Sequence, residues 1–181
     1  MSKEQFLERF WLIIKYIFIA GILALLIRGF LLIPLPVSGN SMENTLTQGD
    51  MVVVEKMSKI RRFDVVVFKQ ADGSTYVKRV IGLPGESVSY KGDQLYVNGK
   101  KTAEPFLAEN LKADKDTLPY TYDFDFKELM EVNKLGKDSY FVLGDNRRLS
   151  KDSRSFGAIS ADEILGKARF VYYPLRHVKF I

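Results

Sequence analysis

Residues 10–33 read FWLIIKYIFIAGILALLIRGFLLI, 24 positions interrupted by charge only at Lys15 and Arg28. No other feature of this 181-residue chain restricts its fold so sharply. As a helix rising about 1.5 Å per residue, the run reaches about 36 Å, enough to cross a hydrocarbon core of about 30 Å with some tilt. Lys15 and Arg28 lie near its two ends, where long stems stay in apolar surroundings while the charged tips reach headgroups. Trp11 and Tyr16 suit an interface near one end, and Pro34 and Pro36 stop the helix at the other. Two other readings fit less well. A cleaved signal peptide has a shorter apolar core and a small-residue exit site, whereas this run holds Lys15 and leads into IPLPVSGN. A buried helix that is apolar on every side needs a larger protein around it. The run is therefore read as a transmembrane anchor, with 1–9 as a cytoplasmic tail. Lys3, Arg9 and Lys15 outweigh Arg28, which puts the N-terminus inside and the rest of the chain outside.

Residues 34–181 then form an extracytoplasmic domain long enough to bury a core. Strand signals recur at 51–55 (MVVVE), 64–68 (DVVVF), 76–83, 87–90, 94–97, 140–143 and 167–173, rich in β-branched and aromatic residues. Asp72-Gly73-Ser74, Lys91-Gly92-Asp93 and Asn98-Gly99 mark the turns between several of them. Ser160 and Glu163 make an S-x-x-E capping box that predicts a short helix over 161–165. The charged, weakly periodic stretch 104–138 reads as an insertion or long connection with a short helix near 127–132. The class is mainly β, either a distorted barrel or a pair of packed sheets.

Composition removes several kinds of chemistry. There is no cysteine, which excludes a disulfide framework, a thiolate nucleophile and a Cys-based zinc site. The one histidine, His177, excludes a multi-His zinc site, and nothing around it in LRHVKFI forms a motif, so it reads as an incidental surface or packing residue. A net charge of +5 favours anionic lipid headgroups but is too small to argue for nucleic acid. No metal or cofactor is expected.

Three polar segments carry the remaining chemistry. In VSGNSMENTL, at 37–46, Ser41 follows a Gly-containing turn, where an exposed hydroxyl and nearby backbone N–H groups suit a nucleophile. The same wording also describes a plain loop. In YVKRVIGLPGE, at 76–86, Lys78 and Val80 share one strand face. If that face is buried, the amine is desolvated and can act as a base; if it is solvated, Lys78 is an ordinary surface residue. In LGDNRRLSKDSRSFG, at 143–157, Asp145, Asn146, Arg147, Ser150, Asp152, Ser153 and Arg154 crowd together, as a surface turn or as a hydrogen-bond network beside a site.

The motifs together are more specific than any one alone. An apolar anchor is followed by VxGxSMxxTL at 37–46, GDMVVV at 49–54, RFDVVVF at 62–68, YVKRVIGLPGE at 76–86 and GDNRRLSKDSR at 144–154. In this order and over nearly the whole chain they resemble the bacterial type I signal peptidases, membrane-bound Ser/Lys enzymes that remove signal peptides from exported proteins. The resemblance implies an all-β catalytic domain of two antiparallel sheets, acting close to the membrane surface. It implies Ser41 as nucleophile, Lys78 as general base and Ser150 as the residue whose hydrogen bond orients the lysine amine. Arg79 and Asp145 match a supporting ion pair, and Asp152 and Arg154 match further polar residues of that network. The implied partners are signal peptides of exported preproteins, with small uncharged side chains at the first and third positions before the cut, together with membrane lipid. The export channel is an implied neighbour. Two positions depart from the pattern. Asn44 stands where many members have proline, and is expected to tolerate the same turn with a looser loop. Gly39 stands where some members have a serine that binds the oxyanion, which leaves backbone N–H groups, above all that of Ser41. The alternatives are a self-cleaving repressor-type Ser/Lys peptidase, which has no anchor, an inactive anchored binding module, which would lack the dyad, and a structural single-pass protein.

Overall fold

The computed structural model describes residues 3–30 and 32–181, with side chains at 26–32 left aside. It divides into two compact units, Met1–Ile33 and Pro34–Ile181. The first is helix α1 (Lys3–Phe30), whose residues 3–25 are exposed on every face. Among the described residues no helix is long and apolar enough to cross a membrane. Residue 31 and the side chains of 26–32 are not described, so the span expected at 10–33 lies in part outside the described residues.

The strands are β1 (Leu32–Pro36), β2 (Met51–Glu55), β3 (Val65–Lys69), β4 (Thr75–Gly82), β5 (Val88–Lys91), β6 (Gln94–Val97), β7 (Lys100–Thr102), β8 (Phe124–Asp125), β9 (Ser139–Leu143), β10 (Ile159–Ser160), β11 (Ile164–Tyr173) and β12 (Lys179–Phe180). The larger sheet runs β1-β2-β11-β3-β4-β9-β10, with β12 also on β11, and the smaller runs β7-β6-β5-β8. The described pairings are antiparallel, as between Val65–Lys69 and Thr75–Arg79. The mainly β class with two antiparallel sheets is therefore what forms. Proline, which donates no ladder hydrogen bond, is confined here to the edge strand β1.

Strand β4 has core on both faces. Val80 joins Val66, Phe68, Val142 and Ile159 in one buried cluster. Ile81 joins Val88, Tyr90, Leu95, Phe141 and Leu143, which seats the smaller sheet against β4 and β9. Successive side chains point to opposite faces, so Lys78 goes with Val80 and Arg79 with Ile81. One lysine and one arginine are thus carried by adjacent positions into two different buried environments.

The short helices differ from the sequence expectation in their bounds. The Ser160–Glu163 capping box forms, with Ser160 N–H donating to Glu163 Oε2 at 2.6 Å. It opens only the 3₁₀ turn Ala161–Glu163, because Ile164 already pairs with Phe68 and starts β11 there. The strand expected at 167–173 thus begins three residues earlier, as cross-strand pairing overrides a short helix. Within 104–138 lie α2 (Ala108–Ala113) and α3 (Phe126–Met130), the latter ended by Glu131 in the left-handed region. A further short helix, α4 (Ser153–Phe156), is capped by the Asp152 carboxylate.

Candidate active site

The loop between β1 and β2 carries Ser41. Its base is closed by Val37 N–H on Asp50 O at 2.8 Å and Gly49 N–H on Val37 O at 3.0 Å. Met42 and Leu46, 1% and 0% exposed, pin its middle into the core and leave Ser41 beside them at the surface of a cleft. Asn44 sits at φ 73°, in the left-handed region. Proline is locked near φ of about −65°, so Asn44 does not hold the same turn that a proline would: the loop takes a path proline cannot follow.

Lys78 is 2% exposed. Its Nζ lies 2.6 Å from Ser41 Oγ, with Val77 O at 3.2 Å as its other partner. Desolvation lowers its pKa to about 8, against the opposing charges of Asp152 and Asp145. The two residues singled out as nucleophile and base are therefore brought together, one from a loop and one from a strand. They line a cleft of about 480 Å³ whose walls include Pro36, Val37, Met42, Val67 and Tyr76.

Ser150 behaves otherwise than expected. Its Oγ is buried and has no hydrogen-bond partner among the described residues, so the expected bond to the Lys78 amine is not made. The amine is engaged by Ser41 and Val77, while Ser150 and the Ser41 carbonyl both lie close over Gly144. A Cβ on Gly144 would overlap both, which explains why glycine stands at that position.

The supporting groups do assemble. Arg79 makes two bonds to Asp145, Nε to Oδ1 at 2.8 Å and Nη2 to Oδ2 at 2.6 Å. Thr45 Oγ1 donates to Asp145 Oδ2 at 2.5 Å, and the guanidinium lies 4.1 Å from the Phe106 ring centre. Asp152 is fully buried; it receives Gly144 N–H at 3.1 Å and Arg154 Nε at 2.8 Å. Arg154 in turn donates to Arg147 O at 2.6 Å. Asn146 N–H donates to Ser41 O at 3.0 Å, tying this loop to the backbone of Ser41.

Two further residues take a part that the sequence did not specify. Arg147 is 1% exposed and donates to Gly144 O at 3.0 Å, to Glu104 at 2.5 Å and to Tyr90 Oη. It links the smaller sheet to the 143–154 loop, whereas the sequence offers it only as one of the polar residues crowded into 143–157, in a surface turn or a network. His177 is not the incidental residue its sequence surroundings suggest: its Nδ1 lies 2.8 Å from Asp50 Oδ1, at the base of the Ser41 loop. Against the desolvation of burial, the Thr47 N–H and His177 hold the Asp50 carboxyl below the usual carboxylate range.

Comparison with known proteins places this chain in a family. The family model described as "Signal peptidase, peptidase S26" matches residues 10–173. Signal peptidase IB of Staphylococcus aureus (strain MRSA252) is 41% identical over 98% of this chain and 95% of its own length. Signal peptidase I V of Bacillus subtilis (strain 168) is 44% identical over 88% of this chain and 95% of its own. The crystal structure of a signal peptidase I from Enterococcus faecalis V583 is similar with a TM-score of 0.58 and 38% identity, covering 62% of this chain and 98% of that one.

Proposed function

The chain belongs to the signal peptidase I family of S26 serine peptidases, and on that premise we propose that it cuts signal peptides from exported preproteins with Ser41 as nucleophile and neutral Lys78 as general base. The observation that carries the reading is the 2.6 Å contact between Ser41 Oγ and a lysine amine that is 2% exposed. A lysine at its exposed pKa of about 10.4 is almost wholly protonated near neutrality and makes a poor base. At about 8, an appreciable fraction is neutral and has a lone pair for the serine proton.

In the first step Lys78 Nζ takes the proton from Ser41 Oγ as that oxygen bonds to the scissile carbonyl carbon. The oxyanion is met by the Ser41 backbone N–H, since Gly39 brings no hydroxyl. The C–N bond then breaks, the Lys78 ammonium returns its proton to the leaving amine, and the signal peptide stays as an ester on Ser41. Water, deprotonated by Lys78, then attacks the ester carbonyl carbon; the bond to Ser41 Oγ breaks and the Lys78 ammonium returns the proton to that oxygen. The cleft's apolar walls suit small side chains before the cut, in the small-x-small pattern. The run 10–33 serves as a single membrane anchor, with the catalytic unit outside. This is supported by its length and by the basic residues at its start. The anchor keeps the enzyme where the substrate's apolar segment also resides, which raises effective concentration.

Wild type should cleave a synthetic Ala-x-Ala signal-peptide substrate, while Ser41→Ala keeps the fold and loses measurable cleavage. Near-wild-type turnover by purified Ser41→Ala would remove Ser41 from the reaction. Protease added to intact wall-stripped cells should digest the 37–181 region; protection until lysis would reverse the orientation.

A further inference from the structure

Asn110 lies on α2, within the stretch that separates β7 from β8, and is 4% exposed. Its Nδ2 donors lie 3.2 Å from Glu43 O, 3.2 Å from Asp145 O and 2.9 Å from Tyr120 Oη. Tyr120 Oη donates to the same Asp145 O at 2.8 Å. The two carbonyls belong to different loops. Glu43 is two residues beyond Ser41, and Asp145 is the carboxylate partner of Arg79, next to Lys78 in the chain.

We propose that Asn110 and Tyr120 are positioning residues for the peptidase reaction, clamping the Ser41 loop onto the 143–154 loop so that Ser41 and Lys78 keep their contact. The proposal rests on the reading of those two as nucleophile and base. Asn110 is the group that donates to both loops, to Glu43 O on one and to Asp145 O on the other, so keeping it between them ties the loops together. The clamp is itself held in place around the site. Phe106 covers the Arg79 guanidinium, Glu104 pairs with Arg147, and Asp114 receives Arg148 at 2.8 and 2.9 Å. No residue of 104–122 lines the cleft beside Ser41. Loss of the clamp should therefore leave substrate binding intact and misplace the reacting groups. A displacement of about 1 Å can cost about 100-fold in rate.

The test uses the full chain in detergent micelles with the Ala-x-Ala peptide. Tyr120→Phe removes one hydroxyl and keeps the ring, and Asn110→Ala removes the bridge. With rates normalised to folded enzyme, we expect kcat to fall about 10-fold or more in Asn110→Ala and less in Tyr120→Phe, with KM within about two-fold of wild type. The double variant should lose less than the product of the two single losses, because the residues share one hydrogen bond. If Asn110→Ala does not fold, Tyr120→Phe decides alone, with a kcat loss of at least about three-fold expected at unchanged KM. A lowered Tm with unchanged kcat per folded molecule, or a loss confined to KM, would overturn the clamp. Ser41→Ala runs in parallel: turnover there sinks the reading of the site, whereas a dead Ser41→Ala beside fully active Asn110→Ala and Tyr120→Phe sinks the clamp alone.

Discussion

Lys78 and Lys167 are both buried, at 2% and 3% exposure, and both stand opposite Val66, one on each side of β3. Their amines end in different company. Lys167 Nζ lies 3.0 Å from Asp64 Oδ2 and 2.9 Å from Lys59 O, so burial is matched by a carboxylate and a carbonyl. Lys78 Nζ has a hydroxyl and one carbonyl, and the carboxylates that influence it, Asp152 and Asp145, are committed to Arg154 and Arg79. Burial alone does not make a lysine into a base. What distinguishes Lys78 is burial with every nearby carboxylate already paired to an arginine.

The contrast is broken most directly by converting each lysine to arginine. Lys78→Arg should lower cleavage of the Ala-x-Ala peptide by about 10³-fold or more, because a guanidinium stays protonated and cannot accept the serine proton. Lys167→Arg keeps a cation near Asp64 and should leave kcat within a few-fold of wild type after correction for folded enzyme. In wild type, kcat/KM should rise with pH along a limb near 8, the pKa set by the burial of Lys78. A limb near 10.4, substantial turnover by Lys78→Arg, or equal losses in both variants would dissolve the distinction between the two lysines.

How much of this contrast is legible in the sequence depends on which interaction decides it. Alternation puts Lys78 with Val80, and the strand runs and turns around them are local signals, so the sheets can be anticipated; the pairing of Ser41 with Lys78 is implied only by the resemblance of the motifs, taken together, to the signal peptidases. Whether the strand face is covered cannot be anticipated, since that depends on Ile159 and Val142 arriving from far along the chain. The pairing of Lys167 with Asp64 spans 103 positions, and that of Arg147 with Glu104 spans 43. Nothing local marks either one. The stretch 104–138 reads as a connection because what ties it to the rest of the domain is a few single side chains, the buried Asn110 and Tyr120 and the half-buried Phe106, not a periodic face. Asn44 is hard to read for a related reason: asparagine is compatible with several turns, the left-handed one it takes here among them, and nothing local in the sequence distinguishes them.

A smaller effect, in stability instead of rate, sharpens the comparison. Lys167→Met leaves Asp64 without its cation. The loss should be about 2 kcal/mol, less than the ~3–5 of a fully buried pair, because Asp64 retains solvent contact and the Arg61 N–H. Lys78→Met removes an amine with no dedicated counterion and should leave the folded state as stable or more so near neutral pH, although inactive. The pH dependence gives the sign. Lys78 titrates at about 8 when folded and at its ordinary value of 10.5 when unfolded. Below about 8 both states hold the proton, and the folded state bears the whole cost of burying it. Between about 8 and 10.5 the unfolded state binds more protons, so wild-type stability rises with pH through that window. The advantage of Lys78→Met over wild type should therefore be greatest at pH 7 and shrink steadily towards pH 10.5. Denaturant unfolding of both proteins across that range measures it. A difference that stays flat, or grows with pH, would mean that the folded protein does not disfavour the ammonium at Lys78, and the two lysines would then differ only in which of them happens to face the serine.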